Sequence, residues 1–262
     1  NKSILRPFRG PHHTTSSIAL VGGGSIPRPG EVSLAHNGVL FLDELPEFSR
    51  SVLEVLRAPL EDSEVTVARA KGALTFPSNF MLVCAMNPCP CGYFGDTKRA
   101  CHCTLPKIQQ YLAKISGPLM DRIDLHIEVQ RVRVGDMQRT DKSEKSEEIR
   151  DRVNASRKIQ SERFQEYPHI HFNAHMGPKE IKEFCKLTKK ADKILAMAIK
   201  ELSLSARAYH RILKVARTIR DMKIVQQAKN RINAGDFNNI NIEEDDVTEA
   251  IQYRSLDRKW WG

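Results

Sequence analysis

A chain of 262 residues with 28% charged and 40% hydrophobic residues can bury a sizeable core and has an ordinary globular composition. No apolar run approaches the ~20 residues of a membrane-spanning helix, which excludes a helical channel or transporter within these residues. The net charge of +9 is uneven: residues 1–130 carry 13 Lys and Arg against 12 Asp and Glu, whereas residues 131–262 carry 28 against 20. A basic second half suits a polyanionic partner, nucleic acid first, although charge runs are more often solvated helix faces.

The first 37 residues are dense in turn formers: Arg6-Pro7-Phe8-Arg9-Gly10-Pro11-His12-His13, then Gly22-Gly23-Gly24, then Pro27-Arg28-Pro29-Gly30. These glycines make no phosphate loop, because no apolar strand precedes them; the pattern G-x-x-x-x-G-K-S/T occurs nowhere in the chain. His12 and His13 have no Cys or acid at ligand spacing and read as packing or hydrogen-bonding residues. Next, Gly38-Val39-Leu40-Phe41-Leu42 is an apolar run without alternation, predicted as a strand buried on both faces in a parallel sheet. It ends in two adjacent carboxylates, Asp43 and Glu44, at the strand edge where open α/β sheets bind ligands. Abutting acids repel and lose hydration, a difficulty that a divalent cation bridging to a phosphate removes. The pattern is that of a Walker B segment, with Asp43 on Mg²⁺ and Glu44 as the base that activates water. An acidic turn after a buried strand is the plain alternative.

Residues 51–60 place Val52, Leu53, Val55 and Leu56 at near-helical spacing and are predicted to stop at Pro59. Residues 65–67 and 74–76 are β-type runs flanking Arg69, Lys71 and Gly72, a hairpin whose basic tip either tracks DNA or is simply exposed. Phe80 to Ala85 is a second apolar run, predicted as another buried strand. If parallel to the first, it delivers Asn87 to the same sheet edge, where an amide can hold water or a terminal phosphate. Cys89-x-Cys91 and Cys101-x-Cys103 then flank a nine-residue loop. Four thiolates can fill one tetrahedral Zn²⁺ site, structural because no position stays open; His102 is a conceivable substitute ligand and free thiols the alternative. With no secretion signal in view, a reducing, cytoplasmic compartment is expected, which disfavours disulfides.

A short helix is predicted over 106–115. Leu125, Ile127 and Val129 alternate with His126, Glu128 and Gln130 as an edge or partly exposed strand. Arg122 stands just before it, flanked by Asp121 and Asp124, which offer local ion pairs. Residues 131–147 turn polar and read as a linker; beyond them the pattern is helical throughout. The segment 147–165 is strongly charged, with anchors at Ile149, Val153, Ile159 and Phe164. Pro178 opens a helix reaching about Leu187, residues 191–202 form an apolar-periodic one, and Ser205 caps a third over 206–222. Its core stripe is Ile212, Leu213, Val215, Ala216 and Ile219, with Arg207, Arg211, Lys214 and Arg217 on another face. Residues 243–253 make a last short helix.

Taken together, Arg6 to Thr14, Pro29 to Glu44, Asn87 to Gly92, Ser116 to Asp124 and Leu204 to Arg211 resemble the magnesium-chelatase-like branch of AAA+ ATPases, closest to the bacterial ComM/YifB group. The likeness covers nearly the whole chain. It implies an α/β fold of P-loop NTPase type, with a partial AAA+ parallel sheet over 1–135 followed by an α-helical lid over 166–262 and a linker and bridging helix over 136–165. Within the first part it implies a helix-2 insert at about 8–35, a hairpin at 65–76 and a cysteine loop at 89–103. Residue by residue, it implies Asp43 and Glu44 as Walker B, Asn87 as sensor 1, Arg122 as an arginine finger reaching a neighbour's nucleotide, and Arg207 as sensor 2. Family members carry a Lon-protease-like domain and a Walker A strand and loop ahead of these segments, so a C-terminal piece is expected, inactive alone. The implied activity is ATP hydrolysis with Mg²⁺ by a closed ring, a homo-hexamer, acting on DNA in helicase or branch-migration work during DNA uptake and recombination. Remodelling of a metal-inserting partner is one rival; a non-hydrolysing, zinc-stabilised nucleic-acid-binding module is the other.

Overall fold

The structure, a computed structural model, describes residues 5–24, 26–69, 72–129, 144–202, 204–227 and 240–254. The chain divides into two compact units, Asn1–Ile123 and Asp124–Gly262, the first α/β and the second helical. No helix among the described residues is long and apolar enough to cross a membrane.

The first unit runs β1 (Phe8–Arg9), α1 (Ser17–Val21), β2 (Gly22–Gly23), β3 (Arg28–Pro29), α2 (Glu31–Leu34), β4 (Val39–Leu42), α3 (Arg50–Glu54), α4 (Arg57–Asp62), β5 (Glu64–Arg69), β6 (Gly72–Pro77), β7 (Met81–Cys84), α5 (Leu105–Leu112) and α6 (Gly117–Met120). Its sheet has the order β1-β4-β7, every pair parallel, with Phe8 opposite Val39 and Val39 to Leu42 opposite Met81 to Cys84. The residues expected to open an insert thus give their first two positions to the sheet. Gly38 sets the approach of β1: a Cβ there would lie 1.9 Å from the Pro7 carbonyl oxygen, which accepts the Val39 N–H at 2.8 Å.

The two apolar runs are strands, but they are not buried on both faces. In β4, Leu40 and Leu42 are fully buried, while Val39 and Phe41 are half-covered, Phe41 stacking on Phe8 with centroids 6.1 Å apart. In β7, Met81 is 64% exposed and Val83 39%. β7 is an edge of the described sheet, and apolar character alone cannot say which strand lies outside. Pro59 also departs from expectation. It sits in the first turn of α4 rather than ending a helix, at a position where its missing N–H has no intrahelical partner to lose. Six rungs, from Glu64–Pro77 to Arg69–Gly72, form the expected β5–β6 hairpin; its tip, residues 70 and 71, lies outside the described residues.

The second unit contains α7 (Ser146–Arg163), α8 (Pro178–Phe184), α9 (Lys189–Leu202), α10 (Ala206–Gln227) and α11 (Glu244–Gln252). Pro178 is at the start of α8, and the Ser205 hydroxyl accepts the Ala208 N–H at 3.1 Å. Phe184, Leu195, Ile212, Leu213, Ala216 and Val247 centre one core. The helix predicted as a bridge, α7, packs against α10 inside this unit.

Several polar expectations reverse here. Arg217, placed by periodicity on a face other than the core stripe, is fully buried. Asp221 explains why: its carboxylate accepts from Arg163 at 2.6 and 2.7 Å, from Arg217 Nε at 3.1 Å and from Asn173 Nδ2 at 2.9 Å. A carboxylate so surrounded compensates guanidinium groups that could not otherwise enter a core. Ile149 and Val153, read as anchors, are each 42% exposed, while Gln160 and Arg163 of the same helix are buried. Residues 124–129 form no strand. His126 is buried and donates its N–H to the Tyr253 carbonyl at 2.7 Å, while Leu125, Ile127, Glu128 and Val129 are all exposed, so burial does not alternate along this stretch. The linker predicted over 131–147 lies, through residue 143, outside the described residues.

Candidate active site

Asp43 and Glu44 leave the C-terminal end of β4 and are both exposed. Pairing with the neighbouring chain continues beyond the sheet: Ala85 N–H donates to Leu42 O at 2.9 Å and Leu45 N–H to Ala85 O at 3.0 Å. Asn87, also exposed, therefore emerges beside the two carboxylates, two residues past Ala85. The parallel register, rather than any side-chain contact, brings the three together.

Glu44 has φ 52° and ψ 47°, the left-handed conformation, which costs a residue with a Cβ roughly 1–2 kcal/mol. Its N–H donates to Asp43 Oδ1 at 2.9 Å and its carbonyl accepts from Glu47 N–H at 2.7 Å. Buried Leu45 and Pro46 follow at once, so the chain turns sharply off the strand and presents both acids outward. His13 Nδ1 lies 3.4 Å from Glu44 Oε2. The His13 ring stands edge-on to buried Phe48 at 6.4 Å and against His12 at 4.0 Å. This contact to Glu44 was not legible in the sequence, since no local pattern links the two positions.

Beyond Asn87 the chain enters the cysteine group. Cys89 Sγ lies 3.4 Å from Cys91 Sγ and 3.7 Å from Cys101 Sγ, and Cys91 lies 3.5 Å from Cys101. With Cys103, the four sulfurs all fall within 4.8 Å of one another. The Tyr93 amide, joined by that of His102 and by the neighbouring thiols, holds the Cys91 thiol down to about 6 against its loss of solvation. His102 is exposed and not among the four clustered groups. Helix α5 serves both regions: burial, then the charges of Glu47, Cys89 and Glu44, push the Tyr111 phenol up to about 12.

The two arginines belong to other elements. Arg122, just past α6, donates to the Pro118 carbonyl at 2.7 Å and pairs with Glu61 of α4. Arg207 belongs to the second unit and is exposed in the first turn of α10. The structure thus gathers Asp43, Glu44 and Asn87 at one sheet edge in the first unit. Two hard carboxylates and an amide at a strand edge suit Mg²⁺ and a phosphate-bearing ligand, whereas soft thiolates suit Zn²⁺.

Comparison with known proteins matches both parts of the chain to one family. A sequence model of "Magnesium chelatase, subunit ChlI" matches residues 1–137, and one of its C-terminal part matches residues 143–234. The chain is 47% identical to the competence protein ComM of Haemophilus influenzae, 42% to the protein YifB of Escherichia coli and 40% to YifB of Salmonella typhimurium, each over 97% of its own length. It spans about half the length of these curated relatives, 46% in each case. The first unit is accordingly three parallel strands of an AAA+ α/β core and the second its helical companion, and the chain belongs to the magnesium chelatase ChlI family, in the ComM/YifB group.

Proposed function

We propose that this chain supplies the catalytic edge and the helical lid of a ring-forming ATPase motor that acts on DNA. The observation that carries the reading is the convergence of Asp43, Glu44 and Asn87 at the C-terminal ends of adjacent parallel strands. Magnesium-bound ATP supplies the phosphoryl group, and Asp43 would hold the ion. Glu44 takes the proton from the attacking water, a role for which its outward, left-handed placement suits it. Asn87 orients that water or the terminal phosphate. Arg122, from a neighbouring subunit, stabilises charge in the transition state, an effect worth ~10³–10⁵ in rate for such residues. Arg207 is taken as sensor 2, as the family resemblance implies. A finger acting between subunits calls for a closed head-to-tail ring, and we take it to be a hexamer.

DNA is favoured as the partner by the basic second half of the sequence and by the competence protein among the relatives. One structural zinc ion, argued below, completes the cofactor set. The decisive experiment uses the full-length protein. Glu44→Gln is expected to lower DNA-stimulated ATP hydrolysis by at least ~10², within the range of general-base losses, with nucleotide binding retained. Unchanged turnover in that variant overturns the assignment.

A further inference from the structure

We infer that Cys89, Cys91, Cys101 and Cys103 hold one zinc ion, and that this ion fixes the turn on which the Asn87 amide rests. A tetrahedral zinc with Zn–S bonds of about 2.3 Å has sulfur–sulfur edges of about 3.8 Å. The separations of 3.4, 3.5 and 3.7 Å match that spacing, and all four sulfurs fall within 4.8 Å. A disulfide needs about 2.0 Å, and every cysteine is free. Iron–sulfur clusters put their thiolates on different irons and spread them more widely, so the group fits a single ion. Main-chain N–H groups also approach it, that of Cys103 pointing at Cys101 Sγ at 3.4 Å. Such donors offset the negative charge of a tetrathiolate site.

The coupling to Asn87 is short and stiff. Cys89 is two residues beyond Asn87 and fully buried. Gly92 donates its N–H to Cys89 O at 2.9 Å, closing a tight turn that needs φ +80°, open to glycine without strain. A Cβ on Gly92 would stand 3.9 Å from both Cγ and Oδ1 of Asn87, so this turn lies against the Asn87 amide. The cysteines are positioning residues: metal ties Cys89 and Cys91 to Cys101 and Cys103, and the tied loop backs the amide. The positioning half rests on the ATPase reading above; the metal half does not.

Full-length protein should contain one zinc per chain by elemental analysis, and cobalt substitution should give thiolate-to-metal charge-transfer absorption. Cys101→Ser and Cys103→Ser should lose the metal, while Cys103→His, which restores a zinc ligand, should recover it. Hydrogen exchange in the segment 81–92 should quicken in the serine variants and slow again in Cys103→His. In turnover, Cys101→Ser should lower kcat as far as Asn87→Ala does with KM little changed, and combining the two should add no further loss. Metal-free wild-type protein, iron in place of zinc, unchanged exchange on metal loss, or losses that multiply each overturn the proposal. If wild-type protein hydrolyses no ATP, the ATPase reading fails, and metal content with exchange still judges this one.

Discussion

Glu44 carries backbone strain at the point where the proposed chemistry needs a carboxylate. Replacing it with glycine relieves roughly 1–2 kcal/mol of left-handed strain and returns about 0.5–1 kcal/mol in unfolded-chain entropy. Glu44→Gly is therefore expected to be slightly more stable than wild type in urea titration, yet unable to hydrolyse ATP; a less stable variant would show that the strain is absent. His13, 3.4 Å from the same carboxylate, is expected to hold Glu44 in place. His13→Ala should lower kcat several-fold without changing the unfolding midpoint, as steady-state kinetics beside thermal melting would reveal. In the helical unit His175 offers a pH test. Desolvation first, then the charges of His171 and Lys214, holds its pKa below the ordinary 6.5, and Nδ1 accepts the His171 N–H at 3.4 Å. The unfolded chain thus binds this proton more readily, so the stability present above pH 6.5 erodes as pH falls through the unfolded value. Melting from pH 7.5 to 5.5 should cost wild type more than His175→Asn. At this scale the sequence was readable wherever a role follows from neighbours, as with Asp43-Glu44 or the paired C-x-C groups. It was silent where the partner is remote: Glu44 for His13, Arg163 and Asn173 for Asp221.

Elements were legible from apolar runs and caps, and illegible where burial depends on what covers them. The runs 38–42 and 80–85 announce strands, and Ser205 and Pro178 announce helix starts. Nothing in the run itself says that β7 is an edge with Met81 exposed, or that His126 rather than Leu125 turns inward. Two substitutions probe how the elements are joined. Asp221→Asn leaves two buried guanidinium groups without their counter-charge, which should destabilise the helical unit by about 3–5 kcal/mol in denaturant titration. A loss under 1 kcal/mol would mean that the arginines reach water. Gly38→Ala pushes a methyl group into the Pro7 carbonyl, 1.9 Å from its ideal position, and should part β1 from β4 at a cost of ~1–3 kcal/mol or more, read as a lowered Tm.

For the molecule as a whole, the count of 41 Lys and Arg residues overstates how many cations are free to face a polyanion. Arg163 and Arg217 are buried on Asp221, Arg220 bonds Glu243 at 2.7 Å, and Lys223 bonds Asp246 at 2.9 Å. Exposed lysines on and beside α9 (Lys186, Lys189 and Lys193) are better placed to meet phosphates. If they do, replacing all three with glutamate should weaken DNA binding by the full-length protein and flatten its log–log salt dependence, each lost contact removing roughly 0.7–0.9 from the slope. An unaltered slope would move the contact surface elsewhere. The rungs joining β4 to β7 have a different consequence. Because the gap between Glu44 and Asn87 is set by amide hydrogen bonds that every residue except proline can form, drift among the strand side chains alters robustness without retuning that gap. Lineages, and protein engineers, are free to rewrite Val39, Phe41, Met81 or Val83 while that spacing is inherited intact.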